Sequence, residues 1–387
     1  MLKSPTIGRP NKQRQPLRTR LPVLLILVAL FLGGCDGDSP DVVKTVTPTV
    51  PPPSIVPTLT LDVSGSIESM TSIIDTVNPE PYTPTMPPPS IVPTLAPGVN
   101  GAIESMTLIT STVNSEYYVL TYWSDGYRVT GFFGRPKDDG LHPVIIYNRG
   151  GCREYGVLEG WEVALFVEAG YVAVASQYRG NAGSEGQAEF GGADVNDVLN
   201  LVPLLKQLPY VDPDRIGMMG HSRGGMMTYL ALKQETLAGT HNIKAAATVG
   251  GLADLFMSCE EGHTYCFSMV GGWPEDDPAL YESRSATHWP ELINAPLLIQ
   301  HGEADSRVSV EQSRKLAEAL KEAGKTVELI TYPGEDHELS EHRGGLPEAL
   351  TWFQGYLANR GEDHSFESHG AAIREVMIWF QTSYRSR

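Results

Sequence analysis

Ser222 sits in Gly220-His221-Ser222-Arg223-Gly224, a G-x-S-x-G sequence. That spacing suits a nucleophile held at a sharp turn, where only small residues two positions to either side avoid clashes. The chemistry it points to is attack of a serine hydroxyl on a carbonyl, with a histidine as general base and a carboxylate orienting that histidine. Candidates for both partners follow in the chain. Asp305 lies in His301-Gly302-Glu303-Ala304-Asp305, with Glu303 as a neighbouring alternative, and His337 lies in Pro333-Gly334-Glu335-Asp336-His337. The order Ser222, Asp305, His337 is that of an α/β-hydrolase and differs from the two other common serine-protease orders. His364 rivals His337, because Gly361-Glu362-Asp363-His364 repeats the Gly-Glu-Asp-His pattern. His337 directly follows an apolar strand-like run, whereas His364 follows a helix-like one, and the base must reach Ser222 at one edge of a sheet. His221, His301, His342 and His369 read as structural or exposed, and His263 lies in a loop.

These residues need elements to position them. Ile216 to Met219 is a short apolar run before the turn, and Met226 to Leu232 continues after it without Pro or Gly. The pattern is strand, turn, helix, which confirms the motif and places the Arg223 amide at a helix N-terminus, able to donate to an oxyanion. Further buried-type strands are expected at 144–147, 172–175, 245–249, 297–300 and 327–332. Helices are expected at 161–168, 195–208, 226–233, 310–323 and 350–358. This alternation predicts an α/β-hydrolase fold, a mainly parallel sheet flanked by helices, preceded by a β-hairpin at 117–123 and 127–133 as a sheet edge. In such sheets the site lies beyond the carboxyl ends of the strands. Asn148-Arg149-Gly150-Gly151 follows the first parallel strand, and amides of Gly150 and Gly151 are placed to complete an oxyanion hole with Arg223. The chemistry requires no cofactor, and no Cys/His spacing suggests zinc.

Composition bounds the rest. The chain has 387 residues, 41% hydrophobic, and a formal charge of -17. It can bury a sizeable core, and its acidity argues against nucleic acid as a partner. Residues 1–34 hold six basic and no acidic residues, with an apolar run, Leu21 to Leu32, short for a membrane span but suited to a signal peptide. The run ends in Leu32-Gly33-Gly34-Cys35, which resembles a bacterial lipobox. That resemblance implies cleavage before Cys35, lipidation of its thiol and an extracytoplasmic, membrane-tethered protein in the bacterial envelope. Residues 35–115 are rich in Pro, Thr, Ser and Val and read as a largely disordered spacer. It carries a two-copy repeat, 51–78 and 87–114, at an offset of 36 residues. The catalytic domain is expected over 116–387, with 250–290 as a cap over Ser222. Cys259 and Cys266 lie close together in that cap, and an extracytoplasmic setting permits their disulfide, leaving Cys152 unpaired.

Taken together, residues 217–225, Gln177-Tyr178-Arg179-Gly180, Asp212-Pro213-Asp214-Arg215-Ile216, 301–305 and 334–337 resemble the catalytic domain of the prolyl oligopeptidase family of serine peptidases. Within it, the acylaminoacyl-peptidase and dipeptidyl-peptidase-like branch is the most similar, over residues 116–360. The resemblance implies a Ser222-Asp305-His337 triad, an oxyanion hole from Arg223 and the 149–151 turn, and a peptide substrate, with an ester of the same fold family as the alternative. A binding protein on a retired scaffold is a third reading, disfavoured because all triad candidates are present. Two departures stand out. Many members carry Tyr or His where this chain has Arg149, leaving the second oxyanion donor open, and members with assigned peptidase activity carry an upstream β-propeller where this chain has the Pro-rich stretch.

Overall fold

Asp125 and Gly126 both take positive φ, 50° and 82°, the backbone a two-residue hairpin loop requires. They join β2 (Ser115–Ser124) to β3 (Tyr127–Pro136) in an unbroken antiparallel register from Ser124↔Tyr127 to Ser115↔Pro136. This hairpin lies within the sheet rather than at its edge, because β1 (Ile103–Ser111) pairs antiparallel with β2. The computed structural model describes residues 95–260, 262 and 266–358. The sheet therefore begins inside the stretch expected as spacer. The signal segment, Cys35, the first repeat copy, His263, His364, His369 and the tail from Gly361 lie outside the described residues.

Beyond the hairpin the strands are β4 (His142–Asn148), β5 (Val172–Ser176), β6 (Val211–His221), β7 (Ile243–Val249), β8 (Leu297–Gly302) and β9 (Val327–Tyr332). The sheet order is β1-β2-β3-β5-β4-β6-β7-β8-β9. All pairs from β5 to β9 are parallel, and β3 meets β5 antiparallel. The expected mainly parallel sheet is thus present. Every residue of β5 and β8 is buried, as expected for strands covered on both faces.

Alternation along the strands divides the core in two. Ile146, Met218, Ala246 and Ile299 face one apolar cluster, and Ile145, Met219, Ala245, Ala247 and Leu298 face the other. The second cluster is covered by α1 (Trp161–Val167) and α8 (Leu346–Leu357). The first is covered by α2 (Val195–Leu199), α3 (Leu201–Leu205), α4 (Arg223–Ala238) and α7 (Val310–Glu322). A single helix was expected over 195–208. It breaks at Asn200 into α2 and α3, because Pro203 has no N–H and its ring would crowd the carbonyl of Leu199.

The segment expected as a cap folds as α5 (Leu255–Glu260), a π-helical turn at Cys266–Val270, α6 (Pro278–Arg284) and two short 3-10 turns. Its Leu252, Leu255, Tyr281, Ala286 and Trp289 are buried in the first core cluster. It is held to α7 by Gln312, whose side-chain carbonyl accepts from the amides of Ala253 and Asp254 at 3.1 Å each. Among the described residues no helix is long and apolar enough to cross a membrane.

Candidate active site

Ser222 occupies the junction of β6 and α4 at φ 57° and ψ -122°. A non-glycine residue there stores strain, and the surrounding glycines show why it is tolerated. A Cβ on Gly220 would run into the Gly224 carbonyl, and one on Gly224 into the Asn148 carbonyl. The turn is locked from below by the Ser222 amide, which donates to Val249 at 2.9 Å, and by the Ser222 carbonyl, which accepts from Gly225 at 2.9 Å. Arg223 is the first residue of α4, so its amide belongs to the group that has no intrahelical partner. The Gly150 side of the 149–151 turn is pressed against this corner, because a Cβ there would sit 3.0 Å from Ser222 Cβ.

Two loops bring the other candidates to the same edge. Asp305 follows β8 and His337 follows β9, and His337 Nδ1 lies 2.6 Å from Asp305 Oδ2. Glu303, the alternative acid, instead turns outward to pair with Arg314 at 3.1 Å and accept from Thr331 Oγ1 at 2.9 Å. Gly250, at φ 53°, abuts this pair: a Cβ there would lie 3.1 Å from the His337 ring and 3.3 Å from Asp305 Oδ2.

Asp305 is the most heavily solvated carboxylate of the site, and the solvent is protein. Oδ1 accepts from the amides of Arg307 (2.8 Å) and Val308 (2.9 Å). Oδ2 faces His337 and also His301 Nε2, at 3.1 Å. Burial alone would raise the carboxyl, but the bonds from His301, His337 and the Val308 amide together outweigh it and hold Asp305 well below the usual carboxylate range. An ionised Asp305 accepts the Nδ1 proton of His337 and leaves Nε2 of that ring as the basic nitrogen.

His301 is a residue that sequence reasoning set aside as structural or exposed. It is fully buried, and its Nε2 also lies 2.9 Å from the Val308 carbonyl, which can only accept, so Nε2 carries the proton. Its Nδ1 lies 2.6 Å from Ser313 Oγ on α7. A chain of contacts thus runs from Ser313 through His301 and Asp305 to His337. The signal was present as the four-residue spacing of His301 and Asp305 across a strand end, but nothing local marks Ser313 as its partner. His221 is half-buried beside the base, its ring 4.9 Å from that of His337 and its Nε2 3.1 Å from the His337 carbonyl. Burial, reinforced by the neighbouring imidazole, lowers its pKa and favours the neutral ring.

The other wall of the site is basic. Arg149 is buried with its guanidinium folded back on its own turn, donating to the carbonyls of Gly150 (3.1 Å), Tyr155 (2.9 Å), Arg153 (3.3 Å) and Gln177 (3.2 Å). Those bonds engage the side chain away from the reaction, leaving the turn's amides as its available donors. Arg223, also buried, pairs with Asp194 at 2.5 Å and reaches the Gly151 carbonyl at 3.3 Å. Cys152, beside the same turn, is disulfide-bonded, as is Cys259. This corrects the expectation of an unpaired Cys152, which rested on the sequence proximity of Cys259 and Cys266 rather than on distance in the fold.

With this geometry in view, the comparisons with known proteins are specific. The family model described as the prolyl oligopeptidase family matches residues 157–375. An uncharacterized peptidase of Bacillus subtilis, YtmA, is 36% identical over 243 residues, covering 61% of this chain and 92% of that protein. Dipeptidyl-peptidase 5 of Porphyromonas gingivalis is 28% identical over 230 residues, 55% of this chain but only 33% of that longer protein. Among solved structures, the acylaminoacyl peptidase of Pyrococcus horikoshii superposes with a TM-score of 0.56 at 25% identity, over 66% of this chain and 44% of that one. The chain belongs to the prolyl oligopeptidase family of serine peptidases.

Proposed function

We propose that this protein is a membrane-tethered serine peptidase that cleaves peptides through an acyl-enzyme on Ser222. The observation that carries the reading is the convergence, at one sheet edge, of a strained Ser222 and a His337 held at 2.6 Å by Asp305. In this mechanism His337 Nε2 takes the Ser222 proton as Oγ attacks the scissile carbonyl. The amides of Arg223 and of the Gly150-Gly151 turn receive the negative oxygen. The proton then passes to the leaving amine, and a water repeats the sequence to release the acyl group. The tether rests on the basic and apolar start of the chain and on Cys35 after two glycines.

The test is to treat membrane and soluble fractions of cells expressing the full chain with a fluorophosphonate probe and map the label by mass spectrometry. Label is expected on Ser222, in the membrane fraction, lost in His337→Ala, retained in His364→Ala and moved to the soluble fraction in Cys35→Ala. A folded wild type that takes no label overturns the enzyme reading. Label that remains in the membrane fraction of Cys35→Ala overturns the lipid anchor.

A further inference from the structure

The two-copy repeat acquires a structural meaning at the edge of the sheet. Its second copy, 87–114, contains β1, and a small set of side chains holds that copy to the domain. Ile103 and Met106 pack against the first core cluster, and Ile109 packs against the second. Glu104 accepts from the Trp123 indole at 2.7 Å, and Thr112 Oγ1 accepts from the Ser115 amide at 2.9 Å, closing the turn into β2. Gly101 holds φ 82°, and a Cβ there would lie 2.8 Å from both the Leu204 amide nitrogen and Pro203 Cγ on α3. Only glycine meets both demands without strain.

At the offset of 36 residues the first copy has Gly65, Ile67, Glu68, Met70, Ile73 and Thr76, the same residue at each of these six positions. Between 59–78 and 95–114 eight positions differ, and six of them, 96, 97, 98, 100, 108 and 111, are exposed in the second copy. The covered differences are Ser66 for Ala102 and Ile74 for Thr110. Ser64 also stands where Asn100 exchanges bonds with Asp125 at 2.7 and 3.1 Å, so the first copy is the weaker match. A segment that served as length alone would need neither a glycine at 65 nor apolar residues at 67, 70 and 73.

We infer that residues 59–78 are a second occupant of the place that 95–114 holds against β2 and α3 of the same chain. Ile67, Met70 and Ile73 then replace Ile103, Met106 and Ile109. The connection into β2 grows from the three residues 112–114 to the 39 residues 76–114. Loop closure makes that arrangement roughly 50-fold less favoured, so the second copy is docked at rest and the first is the minor state. The exchange shortens the stretch between Cys35 and the docked segment by 36 residues. Drawing the domain toward a membrane is the consequence under the tether reading, and the exchange itself does not depend on that reading or on the peptidase activity.

Deleting residues 79–114 joins Asn78 to Ser115 and restores a three-residue connection with the first copy in place of the second. This variant is expected to fold and to melt within about 10 °C of wild type. Adding Ile67→Ser, Met70→Ser and Ile73→Ser should lower its melting temperature by at least about 5 °C, while the same three changes in the full chain leave the melting temperature unchanged. Equal melting of the deletion variant with and without the serines overturns the inference. If the deletion variant does not fold, a cysteine pair in the full chain decides alone. Ser105 lies opposite Thr121 in the β1–β2 register, so Ser69 takes that position when the first copy is docked. Ser105→Cys with Thr121→Cys should form a disulfide rapidly. Ser69→Cys with Thr121→Cys should form one within the same chain, about 50-fold more slowly, and adding Gly65→Val should abolish it. Peptide mapping by mass spectrometry identifies the linked residues. No link from position 69, a link that Gly65→Val leaves unchanged, or a link only between two chains overturns the same-chain exchange.

Discussion

The two walls that flank Ser222 are built on opposite principles. On the acid side, Asp305 collects four donors, and each partner visible in the chain from Ser313 to His337 is matched: amides and imidazoles against one carboxylate. On the basic side, among the described residues, guanidinium groups outnumber the carboxylate bonded to them, and Arg149 bonds to neutral carbonyls. The first arrangement fixes one protonation state and one ring orientation, which is what proton transfer needs. The second holds its guanidinium groups against neutral carbonyls and aromatic rings, which fixes the wall without setting the protonation state of the base. Disturbing the acid side should therefore change kcat for every substrate.

The largest effect is expected from Asp305→Asn. The amide can still occupy the space, but it cannot stabilise an imidazolium and it favours the wrong tautomer of His337. A fall in kcat on the order of 10³–10⁴-fold follows, with KM much less affected. Steady-state kinetics on one anilide substrate decide this, and a loss below tenfold would remove Asp305 from the proposed mechanism. One step further out, His301→Gln is expected to lower kcat by roughly tenfold while KM and the melting temperature stay close to wild type. His301 acts as a positioning residue, through Asp305 rather than on substrate. Asp305 loses a donor that favours its ionised form, so the acidic limb of the kcat/KM profile should move to higher pH. A variant that loses stability with an unchanged profile would reduce His301 to a packing role.

How much of this was visible beforehand depended on distance along the chain. The elbow is local: its strand, glycines and helix lie within 18 consecutive residues, 215–232, and the expected strand at 216–219 is the apolar part of β6. Asp305 and His337 were legible because each closes an apolar strand whose carboxyl end had to lie at the same sheet edge. What was hidden is whatever forms only in three dimensions. Asp194 reaches Arg223 across 29 residues. β1 was missed for a different reason. As an edge strand it is largely exposed, so Ile103–Ser111 carries no buried apolar face to distinguish it from the repeat around it.

The smallest and most discriminating expected effect concerns Glu162, at the start of α1 behind the Arg149 turn. Its carboxylate is buried and accepts from the amides of Gly160 at 2.9 Å and Glu159 at 3.2 Å. Burial outweighs these bonds and pushes the group up to about 7. Its pKa in the unfolded chain is about 4.3. Between those values the folded state holds a proton that the unfolded state has released. Glu162 therefore favours the fold most below about pH 4.3, and its contribution declines as pH rises to about 7, by on the order of 3 kcal/mol in total. Urea unfolding of wild type and Glu162→Gln at pH 5 and pH 8 isolates this term, since every other titrating group is common to both proteins. The variant should gain stability relative to wild type at pH 8 and much less at pH 5. Parallel behaviour at the two pH values would mean that Glu162 is fully ionised in the fold and supplies Arg149 with a counter-charge. That would shrink the positive excess on the basic wall and weaken the contrast with the acid side at its source.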